Sequence, residues 1–436
     1  MNSKKKLLAL ALVGTTAALA CSSASQGDNK GSGGATSSGG ATSSGGKPGS
    51  GGAVGSGGSG SGGAVSSGPA KFPFPQNKKP GSCMLTSVSG AAMSTQSAYD
   101  AWKSAYLTSD GAGGNLRVRR PGNSNDTVSE GIAYGMIAAA YFGDKPTFDG
   151  LWSYAKAHYD EKGLMNWHIS SSGTAVAQSN GMEPGSASDA DEDMAWALIV
   201  ASHQWTGGTY LADAKDVIGT MFAYSIGPDW SLHPGDGWGN ASVDNFPDYF
   251  SPAYYRAFQT VTGRSEWTKI INRGYEILAG VTGANGLVPD QISAMGTSYT
   301  AAAHCTLGNG SAAACANYTY DACRTPWRIG MDYCFSDEPR ALTYLMKVGA
   351  FFDGVGVAAI RDGYTPSGAA AGSGNQNMAF IGPAGIAGMA AGFPKLLDDA
   401  FSYGVSHAAN DYFKDSMRVL TMLMMSGNLV DAGALP

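Results

Sequence analysis

Ser251-Pro252-Ala253-Tyr254-Tyr255-Arg256-Ala257-Phe258-Gln259-Thr260-Val261-Thr262-Gly263-Arg264 contains the unit from which most of the chain is built. Ser251 suits a helix N-cap, and Pro252 suits the first helical position, where an amide would have no partner anyway. Gly263 is the residue type that ends a helix in a left-handed conformation. A second helical stretch, 265–281, follows with no room for more than a tight turn. Working outward, Phe148, Leu151, Trp152 and Ala155 repeat at i, i+3, i+4, i+7, as do Leu342, Leu345, Met346 and Gly349. Gly207 and Gly427 close other helices in the same way as Gly263.

The pattern predicts about twelve helices, near 90–107, 128–142, 146–159, 190–206, 209–226, 251–262, 265–281, 323–335, 337–352, 380–392, 395–407 and 410–426. Connections at Gly143–Lys145, Gly207-Gly208, Gly263-Arg264 and Ser336 are tight. Those at 108–127, 160–189, 227–250, 282–322 and 353–379 are long. Hairpins closed tightly at one end and loosely at the other suit a ring of six, an all-α (α/α)6 barrel, with the long loops gathered on one face. An irregular helical bundle is the plainer alternative. Gly131 and Gly135 inside a helix are expected to let inner helices approach closely.

The chain has 436 residues, 43% of them hydrophobic and only 14% charged, with a formal charge of −6. The first 70 residues hold five Lys against one Asp, so the remainder is near −10. A partner with a phosphate backbone needs a basic face, so nucleic acid is excluded as a partner. Lys4-Lys5-Lys6, the apolar run from Leu7 and the small residues near Ala20 read as a signal peptide over 1–20. That run is too short to span a bilayer. Ala18-Leu19-Ala20 fits ordinary cleavage, whereas Cys21 fits a loose lipobox. Free secretion and outer-membrane attachment through a lipidated Cys21 therefore both stay open. Residues 21–70, almost all Gly, Ser, Ala and Thr, read as a disordered linker, because they have too little apolar surface to offset chain entropy. Residues 71–436 then form one large domain, expected to act as a monomer.

Cys83, Cys305, Cys315, Cys323 and Cys334 lie in that domain, and an exported protein should pair some of them; Cys305 with Cys315 would close a small loop. Five is odd, so at least one stays free. Neither cysteine nor histidine spacing suggests a metal centre, and no cofactor motif is present.

Three acids stand where long loops enter helices. Thr127-Val128-Ser129-Glu130 by itself reads as a capping box. Ser188-Asp189-Ala190-Asp191-Glu192-Asp193 puts four acids at one helix start, more than the helix dipole requires. A Ca²⁺ loop is excluded there because Met194 and Val200 replace the turn glycine and the distal glutamate. Asp321 follows Tyr318-Thr319-Tyr320 at a third helix start.

Ala187-Ser188-Asp189-Ala190-Asp191, followed by Met194-Ala195, Ala197-Leu198-Ile199, Ala201 and Trp205, resembles the signature of glycoside hydrolase family 8. The resemblance extends in order through Asp110 to Gly114, Asp126 to Gly131, Gly163 to His168, Gly286 to Asp290 and Tyr320-Asp321-Ala322. It implies an inverting, endo-acting hydrolase of β-1,4-linked polysaccharide on an (α/α)6 barrel, an endo-1,4-β-glucanase (cellulase). Glu130 matches the general acid and Asp321 the general base; Asp189 matches a third acid that binds and distorts the sugar. Tyr249 matches a tyrosine near the attacking water, and Arg324 an arginine beside the base. Trp167 and Trp238 match stacking aromatics, with Tyr320 a further sugar contact. Gln291, where a tryptophan is expected, and an apparent insertion from His304 to Asn317 depart from the pattern.

Inversion needs a protonated acid and an ionised base about 6.5–9.5 Å apart, with water between base and sugar. A helix start favours the ionised form of Glu130, so burial and the like charge of Asp189 are expected to oppose it and keep the proton on. Asp321 is expected to be held ionised by Arg324. Trp327 is a third candidate platform, while Trp152 and Trp196 are expected in the core. Cellulose, carboxymethylcellulose and mixed-linkage β-glucan are the expected substrates, with xylan or chitosan as alternatives. A lyase would want cationic groups against a uronate, and a non-catalytic sugar-binding protein would need no acid–base pair.

Overall fold

A computed structural model describes residues 69–177, 184–237, 245–295, 298–301 and 315–435. Twelve α-helices lie among them: α1 (Ala91–Tyr106), α2 (Ser129–Phe142), α3 (Lys145–Ala157), α4 (Ser188–Gln204), α5 (Tyr210–Tyr224), α6 (Pro252–Thr262), α7 (Trp267–Val281), α8 (Thr325–Ser336), α9 (Pro339–Val355), α10 (Met378–Ala391), α11 (Pro394–Ser406) and α12 (Tyr412–Met425). Each corresponds to one of the expected helical stretches. The even-numbered helices pack side by side, α2 on α4, α4 on α6, α6 on α8, α8 on α10 and α10 on α12; α12 returns to α2 and closes the ring. Each odd-numbered helix from α3 to α11 lies outside the even one before it, and α1 lies against α12. This is the (α/α)6 barrel.

Side-chain pattern decides which helix is inside. α2 buries every residue except Phe142, and α10 every residue except Ala391. Their sequences are apolar and small all round, as a helix enclosed by neighbours requires. α7 instead buries the stripe Trp267, Ile270, Ile271, Tyr275, Ile277 and Leu278 and turns its other side to water. Inner helices approach closely where glycine allows it: a Cβ on Gly382 would lie 2.4 Å from the Thr421 hydroxyl, and one on Gly330 would lie 2.3 Å from Ile386. Gly135 plays a different part from the one expected, since its neighbours are Leu151 of α3 and Trp102 of α1, outer helices.

The tight turns are made by single left-handed residues, including Gly263 at φ 68° and Asp337 at φ 52°. Asp337 tolerates that conformation better than most side-chain-bearing residues. Long connections all lead to the N-terminal ends of the inner helices. Three short antiparallel ribbons stiffen them: β1 (Leu107–Thr108) with β2 (Arg117–Val118), β3 (Thr127–Val128) with β4 (His168–Ile169), and β5 (Ile292–Met295) with β6 (Ser298–Ala301).

Cys83 pairs with Cys334, tying the segment before α1 to α8, and Cys323 is free and buried. Cys315 is disulfide-bonded, and its expected partner Cys305 lies outside the described residues. So do the signal and linker residues 1–68, Trp238 and most of the stretch from His304 to Asn317. Trp152 and Trp196 are core residues, as expected. Trp327 is a correction: it is fully buried, edge-on to Tyr134, and cannot serve as a sugar platform.

Candidate active site

Each inner helix begins at the loop-bearing end, so residues at six helix starts converge there. Glu130 is the second residue of α2. Its helix is entered from β3, paired to β4 in the register Thr127↔Ile169 and Val128↔His168, and Ser129 N donates to Trp167 O at 2.9 Å. The expected capping box does not form. Thr127 lies in β3, where its hydroxyl donates to Val118 O and accepts from Arg117, and Glu130 makes no bond back to it. The carboxylate instead meets Arg324 Nη1 at 2.5 Å through Oε2 and the Tyr412 hydroxyl through Oε1. Long-range partners won over the local one.

The four acids of α4 part company because successive helical residues point about 100° apart. Asp189 turns into the cleft, with Oδ2 3.0 Å from Arg324 Nη1. Glu192 accepts from Ser251 Oγ at 2.5 Å, which is why Ser251 does not cap α6 with its side chain. Asp193 meets Arg328 through both carboxylate oxygens. Asp191 is buried among carboxylates, with Asp236, Asp189 and Asp160 near it, and desolvation first and these like charges after it raise its pKa well above the usual range.

Asp321 stands at the N-cap position of the 3₁₀ turn that leads into α8, without a capping bond from its side chain. The loop carrying it is held by Asp290, whose Oδ1 accepts the backbone amides of Thr319 and Ala322 at 2.8 Å each. Tyr320 hydrogen-bonds Asp362 through its hydroxyl at 3.4 Å and accepts from Asn377 at 3.3 Å. Tyr249, in the 3₁₀ turn Pro247–Tyr249, has its ring 5.5 Å from the Arg324 guanidinium. Trp167 sits beside the start of α2 with Val128, Ala187 and Tyr412, but only 7% of it is exposed. The face it offers a sugar is small.

Arg324 is not the private partner of Asp321 that was expected. Its Nη1 binds Glu130 and Asp189; its Nη2 lies 2.7 Å from Asp248 and 3.4 Å from Asp321. One cation is shared by four carboxylates, and Asp321 has the longest contact. The side chain of Asp321 is 24% exposed, against 10% for Glu130, 3% for Asp189 and none for Asp248. Of these four, Asp321 is therefore the carboxylate that water reaches most easily.

Burial raises the Glu130 pKa to about 7; Arg324 opposes the rise, Asp189 adds to it, and Tyr412 and Arg120 oppose it. Burial also raises Asp321, to about 6, against the pull of Arg324 and with the help of Asp189. Arg324 favours the ionised form of Asp321, as expected, but desolvation outweighs a guanidinium divided four ways. Burial drives Asp248 well above its usual range and Asp290 to about 7. Glu130 and Asp321 reach different nitrogens of one guanidinium, Nη1 and Nη2 of Arg324. A cleft opens on them, lined by Arg120, Glu130, Tyr320, Asp321, Arg324 and Tyr412 among others.

Asp248, Asp290 and Tyr412 were missed as site residues. Asp248 and Asp290 stand next to or inside recognisable motifs, in Pro247-Asp248-Tyr249 and Val288-Pro289-Asp290. Tyr412 has no local signal beyond its place at a helix start.

Buried carboxyl groups with raised pKa and a more exposed carboxylate, in a cleft at the loop end of an (α/α)6 barrel, suit glycoside hydrolysis. The model for glycosyl hydrolases family 8 matches residues 72–427, and the chain belongs to that family. It is 36% identical to Endoglucanase 2 of Ruminiclostridium josui over 82% of this chain and 77% of that one. It is 35% identical to Endoglucanase A of Acetivibrio thermocellus over 76% of this chain and 68% of that one. Among solved structures, the β-1,3-1,4-glucanase from Paenibacillus sp. X4 superposes with a TM-score of 0.75 at 31% identity, over 82% of this chain and 98% of that one.

Proposed function

We propose that the protein hydrolyses β-1,4-linked glucan within the chain, with inversion, on cellulose-type and mixed-linkage polymers. Glu130 donates its proton to the glycosidic oxygen as the C–O bond breaks. Asp321 removes a proton from the water that attacks the anomeric carbon from the opposite face. Asp189 and Arg324 hold the sugar and fix the charges around it, with Tyr249, Tyr320 and Trp167 along the cleft. The observation that carries this reading is the convergence of Glu130 and Asp321 on one cleft around Arg324, with Asp321 the more exposed of the two. Burial raises both above the usual carboxylate range, so a retained proton near neutral pH is available to the acid. A binding protein has no use for such an arrangement.

The endoglucanase names of the relatives support a glucan substrate over xylan or chitosan. Initial rates on carboxymethylcellulose, lichenan, xylan and chitosan test it: glucans should be cut fastest, and a preference for xylan would overturn the substrate. Export directed by residues 1–20 belongs to the same proposal, with free secretion and attachment through a lipidated Cys21 as its two forms. An intact mass showing an acylated Cys21 at the mature terminus would select attachment, and an unmodified mature terminus would select free secretion.

A further inference from the structure

We propose that Tyr412 is the positioning residue of the general acid, holding the reacting oxygen of Glu130 and stabilising the carboxylate left when its proton has gone. The inference rests on the reading of Glu130 as the acid. The two carboxyl oxygens of Glu130 have different partners. Oε2 faces Arg324, which has five donors and no acceptor, so a proton cannot be shared on that side. That leaves Oε1 to carry the proton, and Oε1 is the oxygen the Tyr412 hydroxyl touches. A phenol can both accept and donate. It can accept from the neutral acid before reaction and donate to the anion afterwards, and the second bond is the stronger because it is charge-assisted.

The placement is built in from several sides. Asp411 caps α12, accepting from Phe413 N at 3.1 Å and Lys414 N at 3.2 Å, so the helix start bearing Tyr412 is fixed. Gly131, next to Glu130, leaves the space the phenol ring needs, since a Cβ there would be 3.2 Å from the ring. The Arg120 guanidinium lies 5.8 Å from the ring centre, and Arg120 is itself held by Asp126, which also binds His168. The charged and titratable groups facing Glu130 are therefore Arg324 and Asp321 from the start of α8, Asp189 from α4, Arg120 from the loop before α2, Tyr134 from its own helix and Tyr412. Asp411 and Lys414 flank Tyr412, and Asp126 with His168 stands behind Arg120. Among these, Tyr412 is the neutral group that touches the reacting oxygen.

The sign of its effect is fixed. A donor to the carboxylate favours the ionised acid, so removing it makes Glu130 hold its proton to higher pH. Activity needs the protonated form and should persist further into alkali. The reaction meanwhile loses a charge-assisted hydrogen bond to the departing carboxylate, which costs about tenfold in rate.

Tyr412→Phe keeps the ring and its packing. In the purified protein acting on soluble mixed-linkage β-glucan, its alkaline limb of kcat/KM should move up by about half to one pH unit. At the optimum kcat should fall about tenfold with KM little changed. An unmoved limb, or a rise in KM alone, would overturn the proposal. A fluorotyrosine at position 412 keeps the hydroxyl but makes it a stronger donor, and should move the limb the other way; no shift there would also count against it. Glu130→Ala tests the underlying reading separately. It should lose activity on β-glucan yet cleave an aryl β-cellotrioside with a dinitrophenol leaving group, which needs no proton. If Glu130→Ala cleaved β-glucan normally, the assignment of the acid would fail whatever Tyr412→Phe did.

Discussion

Arg324 at the N-cap of α8 and Arg328 one turn further along face two aspartates one turn apart on α4, and the two rungs differ in charge balance. In the deeper rung Arg328 meets Asp193 through both carboxylate oxygens, with the guanidinium also over the Trp327 ring at 4.4 Å. Neither side chain of that pair is exposed. Burial raises Glu192 beside it well above the ordinary range. Charges cancel, and a balanced buried pair holds helices in register. In the upper rung Arg324 meets Asp189 through one oxygen and also reaches Glu130, Asp248 and Asp321. Four acids cannot all ionise around one cation in a sheltered site, so protons are retained near neutral pH. A protein that needed only stability would have repeated the lower rung; the excess of acid at the mouth is what makes acid–base chemistry available there.

Substitutions in the two rungs should therefore fail differently. Glu130→Gln should lower kcat on β-glucan by about 10³–10⁴-fold while thermal unfolding hardly changes, because general acid catalysis is lost and little packing with it. A melting temperature that collapsed along with activity would place Glu130 in the structural class. Arg328→Met should do the reverse. It leaves Asp193 buried without its cation, a loss of about 3–5 kcal/mol in stability seen in denaturant titration. Adding Asp193→Asn should recover much of that loss, since the orphaned charge is gone. Were Arg328→Met fully stable but inactive, the contrast between the rungs would be wrong. Asp189→Asn gives the smallest and most diagnostic effect. Burial is the main cause of the raised Glu130 pKa and Asp189 a lesser one, so removing its charge should lower that pKa and move the alkaline limb of activity down by less than about one unit. A limb that stayed in place would remove Asp189 from the tuning of the acid.

The barrel was legible because helix starts, stops and apolar periodicity are local, and the alternation of Gly263-type turns with long loops repeats along the chain. Glu130, Asp189 and Asp321 were legible as acids at loop-to-helix junctions, and the family resemblance assigned their roles. Their partners were not legible. Tyr412 lies 282 residues from Glu130 and Arg324 lies 194 from it, so only closure of the ring brings them together. The same closure overrode the local capping pattern at Thr127, because Arg117 and Val118 satisfied that hydroxyl first. The Cys83–Cys334 bridge spans 251 residues and has no spacing signal. Trp327 was misjudged because proximity to Asp321 along the chain says nothing of which way a helical side chain faces, and it faces Tyr134 in the core.

The stereochemistry of hydrolysis bears most directly on the pairing of a protonated Glu130 with a water-activating Asp321. Early time points of β-glucan hydrolysis followed by proton NMR should show the α-anomer of the new reducing end first, with the β-anomer growing only by mutarotation. The β-anomer appearing first would mean retention, and with it a direct attack by carboxylate that would contradict the roles assigned to the two acids.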